Sequence, residues 1–193
     1  MNKQLTIKTI AAAAAAMAAI GLAVTGGTSS AASEPNLRER LLQPSELPAF
    51  ATVLCPSVVE DAYRWVGRYA STDSLQRNGF VAGLSQPLYS TGLRAQAETS
   101  VAQFRTETGA RAEAEREVAA ARRSPGRFSA FTVSSIPGAH GFTLRRGAAI
   151  ERDVVFSAGR YVYLAGVTYR LDSTPVAQDQ LVAAAAALYE RVR

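Results

Sequence analysis

The chain has 193 residues, enough for a single domain core, and carries 21 basic against 16 acidic side chains, a formal net charge of +5. Its only lysines, Lys3 and Lys8, lie near the amino terminus; from Ser33 onward 19 Arg face 16 acidic residues, a charge of +3, and no amine is available for Schiff-base, Ser-Lys or P-loop chemistry. One His and one Cys exclude a structural zinc site, which needs about four soft ligands.

Residues 1–8 place positive charge ahead of an uncharged Ala/Ile/Leu/Val run over 9–24, and Ser30-Ala31-Ala32 offers the small side chains a signal peptidase accepts. A leader over residues 1–32, cleaved after Ala32, is expected. The apolar run is shorter than the ~20 residues of a membrane span, and no cysteine follows it to take a lipid. The product is expected to be secreted, with no stable membrane span after cleavage. Cys55 then has no second cysteine to pair with, which leaves a buried thiol or a bridge between chains.

Residues 33–43 are charged and lack apolar periodicity, so a loosely ordered lead is expected before a domain over 44–193. Pro44 and Pro48 keep 41–50 from forming a regular helix. Ser57 and Glu60 have capping-box spacing, and Val59, Ala62, Val66 and Tyr69 recur at helical steps, which predicts a helix from Ser57 with Trp65 at the margin of its stripe. A short helix at 74–77 should stop at Asn78-Gly79. Strands are expected at 80–86 and 98–104, then a helix over 106–123 with Ala110, Ala114, Val118 and Ala121 buried. A strand over 128–134, a loop through Ile136-Pro137-Gly138-Ala139-His140-Gly141 and a strand at 142–145 follow. The runs 151–157 and 160–170, joined by Ala158-Gly159, form the clearest hairpin. Thr174-Pro175 predicts the start of a last helix that buries Leu181, Ala184, Ala185, Leu188 and Val192. Antiparallel hairpins alternating with helices give the expected class: an α+β fold, an antiparallel sheet with helices packed against it.

Leu41 to Phe50, Gly79-Phe80-Val81-Ala82-Gly83, the 136–142 loop, and Gly159-Arg160-Tyr161-Val162-Tyr163 with the closing Leu188-Tyr189-Glu190-Arg191-Val192 resemble small exported domains of high-GC Gram-positive bacteria. Some of these look like the PsbP-like α/β fold of secreted lipoproteins. The resemblance implies an exported α/β domain and supplies no catalytic motif; the chain departs from the lipoprotein members in lacking their lipidated cysteine.

Four constellations bear on function. Tyr161, Tyr163 and Tyr169 share one face of the longest strand; if helices leave that face open it is a platform for an aromatic ligand or a partner, and if they cover it the rings are core. Glu151 and Asp153 point to one side at a spacing compatible with paired-carboxylate chemistry or with a solvated edge. His140, with Cys55 or a serine, could form a hydrolytic pair, although no Gly-x-Ser-x-Gly elbow is present. Arg122, Arg123 and Arg127, and separately Arg145 and Arg146, form basic clusters that could meet acidic polymers or lipid head groups; with a charge of only +3 after residue 32 they make no nucleic-acid stripe and read as solvated helix and loop ends. The expected function is therefore a secreted, non-enzymatic binding module for a small apolar or aromatic ligand or an envelope protein, with no cofactor and no metal. The alternatives are a secreted hydrolase using His140 and a structural envelope protein.

Overall fold

The computed structural model describes residues 36–52, 57–65, 67–90, 92–173 and 176–193. Seven strands, β1 (Ala51–Thr52), β2 (Phe80–Ser90), β3 (Ala95–Phe104), β4 (Arg127–Phe131), β5 (His140–Arg146), β6 (Ala149–Ala158) and β7 (Tyr161–Arg170), form one sheet. Its order is β1-β2-β3-β7-β6-β5-β4, and every neighbouring pair is antiparallel. Helices α1 (Thr72–Arg77), α2 (Glu107–Arg123) and α3 (Gln178–Val192) complete the α+β architecture.

Both faces of the sheet are covered, which explains why β7 is apolar at nearly every position. Alternation along the strand sends Tyr161, Tyr163, Ala165, Val167 and Tyr169 toward α3, while Val162 and Leu164 pack with α2. On the α3 side, Leu181, Ala184, Ala185 and Leu188 are buried, as helical spacing predicts. On the other side, Ala110, Ala114, Val118 and Ala121 let α2 lie close to the sheet. Helix α2 starts one residue later than expected, with Thr106 as its cap, the hydroxyl accepting from the Gly109 N–H at 3.0 Å. Gly109 has to be a glycine: a Cβ there would stand 2.1 Å from the Asn78 carbonyl oxygen.

Several boundaries differ from expectation. Residues 57–60 do not start a helix; Val59 instead exchanges both backbone hydrogen bonds with Gly83, at 2.8 and 2.7 Å. Pairing with β2 holds Val59 extended and satisfies its N–H and C=O, so tertiary structure overrides a local signal. Val66 lies outside the described residues. Residues 36–43 are not a loose lead either. They form a 3-10 turn over Leu37–Arg40 and bury Leu37, Leu41 and Leu42 beside α3. The Arg191 guanidinium, on the last turn of α3, donates to the Leu41 carbonyl at 2.8 Å and pairs with Glu46 at 3.0 Å, pinning that segment. His140 opens β5 rather than sitting in the preceding loop, because its backbone pairs with Val155. Helix α3 starts at Gln178, after Ala177; the expected cap, Thr174-Pro175, falls outside the described residues.

Candidate functional site

The largest concentration of ionisable groups is buried between the sheet and residues 57–70. Glu98 on β3, Gly166 on β7 and Asp153 on β6 lie in one transverse row. Gly166 is required there, since a Cβ would come within 2.1 Å of Asp153 Oδ1. Across this gap Arg68 acts as a fork: Nη1 donates to Asp153 Oδ1 at 2.9 Å, and Nη2 reaches Glu98 Oε2 at 3.1 Å. The Tyr69 hydroxyl donates to Asp153 Oδ2 at 2.8 Å and also meets Glu151 Oε2 at 3.3 Å. Ser85 donates to the other Glu98 oxygen at 3.0 Å. A second group adjoins the first: Glu113 of α2 accepts from Ser74, Asn78 and Arg116, while Arg116 donates to the Tyr69 carbonyl.

Burial dominates the protonation of this interior. It pushes the Asp153 carboxyl up to about 6, against the opposing pull of Arg68 and the Tyr69 hydrogen bond. Burial, and then the neighbouring Glu113 carboxylate, push Glu117 up to about 8. Burial alone would lower the Arg68 pKa, but the Asp153 and Glu98 carboxylates outweigh it and hold the guanidinium firmly charged. Tyr69 is raised by burial and by Asp153, which keeps its hydroxyl a donor. With Arg68 and Tyr69 both engaged, this network locks an irregular segment onto the sheet. Among the described residues no three His, Cys, Asp or Glu side chains are grouped to hold a metal ion.

Glu151 and Asp153 do share a face, as their spacing predicts, and they meet at the Tyr69 hydroxyl. They do not sit on a solvated edge: β6 is flanked by β5 and β7, and Asp153 is fully buried. The tyrosines expected to bind a ligand are covered. Tyr161, Tyr163 and Tyr169 are 7%, 0% and 5% exposed. Phe156 stacks on Tyr163 with 4.9 Å between centroids, and the Arg40 guanidinium lies 4.1 Å over the Tyr161 ring while donating to the Tyr163 hydroxyl at 2.8 Å. This corrects the expectation of an open stacking platform: α3 and residues 37–50 occupy that face. His140 is exposed and lines a cleft of about 530 Å³ with Ser157, Glu107 and Glu115. No hydrogen bond joins His140 to Ser157, so the nucleophile–base pair of the hydrolytic alternative is not assembled among the described residues. Cys55 lies outside the described residues.

Sequence reasoning missed the Arg68 network and the inward-facing Glu113 and Glu117. A signal existed for the two glutamates, since 113 and 117 fall on the helical stripe defined by 110, 114, 118 and 121. For Arg68 there was none, because its partners are distant in sequence.

The accessible feature is the far edge of the sheet. β4 pairs with β5 on one side only, and among the described residues no backbone or side-chain group bonds its outer edge. Ser129 and Ala130 are exposed, and Phe128 and Phe131 are half-buried. Beside the strand runs a cleft of about 390 Å³ lined by Val118, Arg122, Phe128, Phe131, Val133 and His140. A strand edge with a partly apolar groove alongside can receive an extended chain, through main-chain hydrogen bonds and side-chain contacts together.

Comparison with known proteins bears on the fold alone. No family model matches the chain, and no curated protein does. The extracellular domain of PknH from Mycobacterium tuberculosis is a similar solved structure, with a TM-score of 0.56 over 81% of this chain and 94% of that one, at 11% identity.

Proposed function

We propose that this chain is an exported, non-enzymatic module that binds an envelope protein by receiving an extended segment of it as an added strand on β4. The observation that carries the reading is the outer edge of β4, unpaired among the described residues, at the end of a seven-stranded sheet, with a partly apolar cleft beside it. Two facts support recognition over chemistry. The carboxylates with the most perturbed protonation are committed to packing beneath residues 57–70 and α2, and the tyrosine face that would have taken a small aromatic ligand is occupied by α3. Export rests on the leader pattern of residues 1–32, and the fold it shares with the PknH extracellular domain is consistent with that setting.

The test is amide hydrogen exchange on the protein recovered from an exporting host, alone and with short peptides alternating Val with Ser, Glu or Lys. Slowed exchange at the alternate β4 amides that face away from β5, with any of the three peptides, supports strand addition. Unchanged exchange at β4 with all three refutes it.

A further inference from the structure

We infer that the segment received by β4 is acidic; this rests on the strand-addition reading above and specifies its chemistry. Between Glu117 and Glu151 the chain contains five Arg and no acidic residue. Folding brings all five to one end of the sheet, at the end of α2 (Arg122, Arg123), on β4 (Arg127) and on β5 (Arg145, Arg146). All are exposed, and among the described residues only Arg146 has a carboxylate partner, Glu151 at 2.9 Å. Arg127 and Arg145 stand directly opposite each other across the β4–β5 ladder, a pairing of like charges that destabilises a sheet.

Ordinary structural roles account for only part of this. The negative end of the α2 dipole explains Arg122 and Arg123, and one charge on an exposed strand would suffice to discourage aggregation. Neither explains a cross-strand pair of cations that has no carboxylate partner among the described residues.

The arrangement instead fits a strand that presents a row of carboxylates to one face of the sheet; Arg127 and Arg145 stand on one face and Arg122 on the other. An added strand would lie about 4.8 Å from β4, within reach of long side chains. Arg127 and Arg145 share one face of the sheet. On the other, the Arg122 guanidinium stands 5.4 Å over the Phe128 ring, at the wall of the cleft. A second copy of this chain would bring the same five arginines against these and is disfavoured by charge. An anionic bilayer would satisfy the cations but leave the outer edge of β4 without hydrogen-bond partners.

The experiment measures fluorescence anisotropy of the labelled Val/Glu, Val/Ser and Val/Lys peptides with the full protein from an exporting host. The Val/Glu peptide is expected to bind about tenfold or more tighter than Val/Ser. That advantage should shrink as ionic strength rises from about 0.01 M to about 0.15 M, which shortens the screening length from about 30 Å to about 8 Å. In the Arg127→Glu/Arg145→Glu double variant the preference should pass to the Val/Lys peptide. Arg122→Gln, which leaves the hairpin untouched, should weaken Val/Glu binding several-fold and serves if the double variant does not fold.

Equal binding of Val/Ser and Val/Glu would overturn the acidic assignment while leaving strand addition intact; absence of β4 protection with every peptide would overturn both. Protection of β4 by phosphatidylglycerol vesicles in place of the peptide, or by concentration-dependent dimerisation, would likewise overturn the inference.

Discussion

Replacing Glu117 by glutamine should make the protein more stable, by an amount that grows with pH. Glu117 is 6% exposed on the buried side of α2 and has no hydrogen-bond or ion-pair partner among the described residues. Its carboxyl is pushed from 4.5 up to about 8, so the folded state holds the proton more tightly than the unfolded chain does. The associated stability is fully present below pH 4.5 and is lost as pH rises through 8. At about 1.4 kcal/mol for each tenfold change in proton affinity, the loss is about 3 kcal/mol at pH 7 and about 5 kcal/mol above pH 9. Glutamine has the shape of the protonated acid and does not titrate. Glu117→Gln should therefore match the parent near pH 4 and exceed it at pH 7 by about 3 kcal/mol, or about 6–12 °C in Tm. Thermal unfolding followed by circular dichroism across this range checks it. A stability difference that does not vary with pH, or a variant less stable than the parent at pH 9, would refute the assignment of a buried, unpaired carboxyl.

Three further outcomes follow from the same interior. Asp153→Ala leaves the Arg68 charge and the Tyr69 hydroxyl without their shared partner and should cost about 3–5 kcal/mol in urea unfolding; adding Arg68→Met should recover part of the loss, so that the two effects are not additive. Gly166→Ala places a methyl against Asp153 Oδ1 and should cost about 1–3 kcal/mol, an effect that shrinks in the Asp153→Ala background. Gly83→Ala would put a Cβ 2.4 Å from the Trp65 ring; since Trp65 is the only tryptophan and is buried, its fluorescence should shift to the red as the ring is displaced. An unshifted spectrum would mean that Trp65 does not rest on Gly83.

Much of the fold was legible locally. The β6–β7 hairpin followed from two β-branched and aromatic runs around a glycine, and Gly159 takes a φ of +53° in the turn. The α2 span followed, to within one residue, from its stripe of small residues at 110, 114, 118 and 121. The error at residues 57–60 has a clear origin: Ser57 and Glu60 carry a genuine capping pattern, but the backbone there found β2 as a partner. The tyrosine face was undecidable from β7 alone, because a strand apolar on both sides does not reveal which element covers each.

The amino-acid sequence by itself determined most of the elements and their order, and the absence of lysine after Lys8 and of a second cysteine, because turn chemistry, periodicity and composition are properties of neighbouring residues. Only tertiary structure decided that Asp153 and Glu98 lie on either side of Gly166 beneath Arg68, that α3 closes over the tyrosines, and that β4 is left at the rim with arginines on both faces. Strand order and face coverage arise from contacts between residues far apart in the chain, where each choice depends on which competing surface is buried first, and no short window of sequence contains that information.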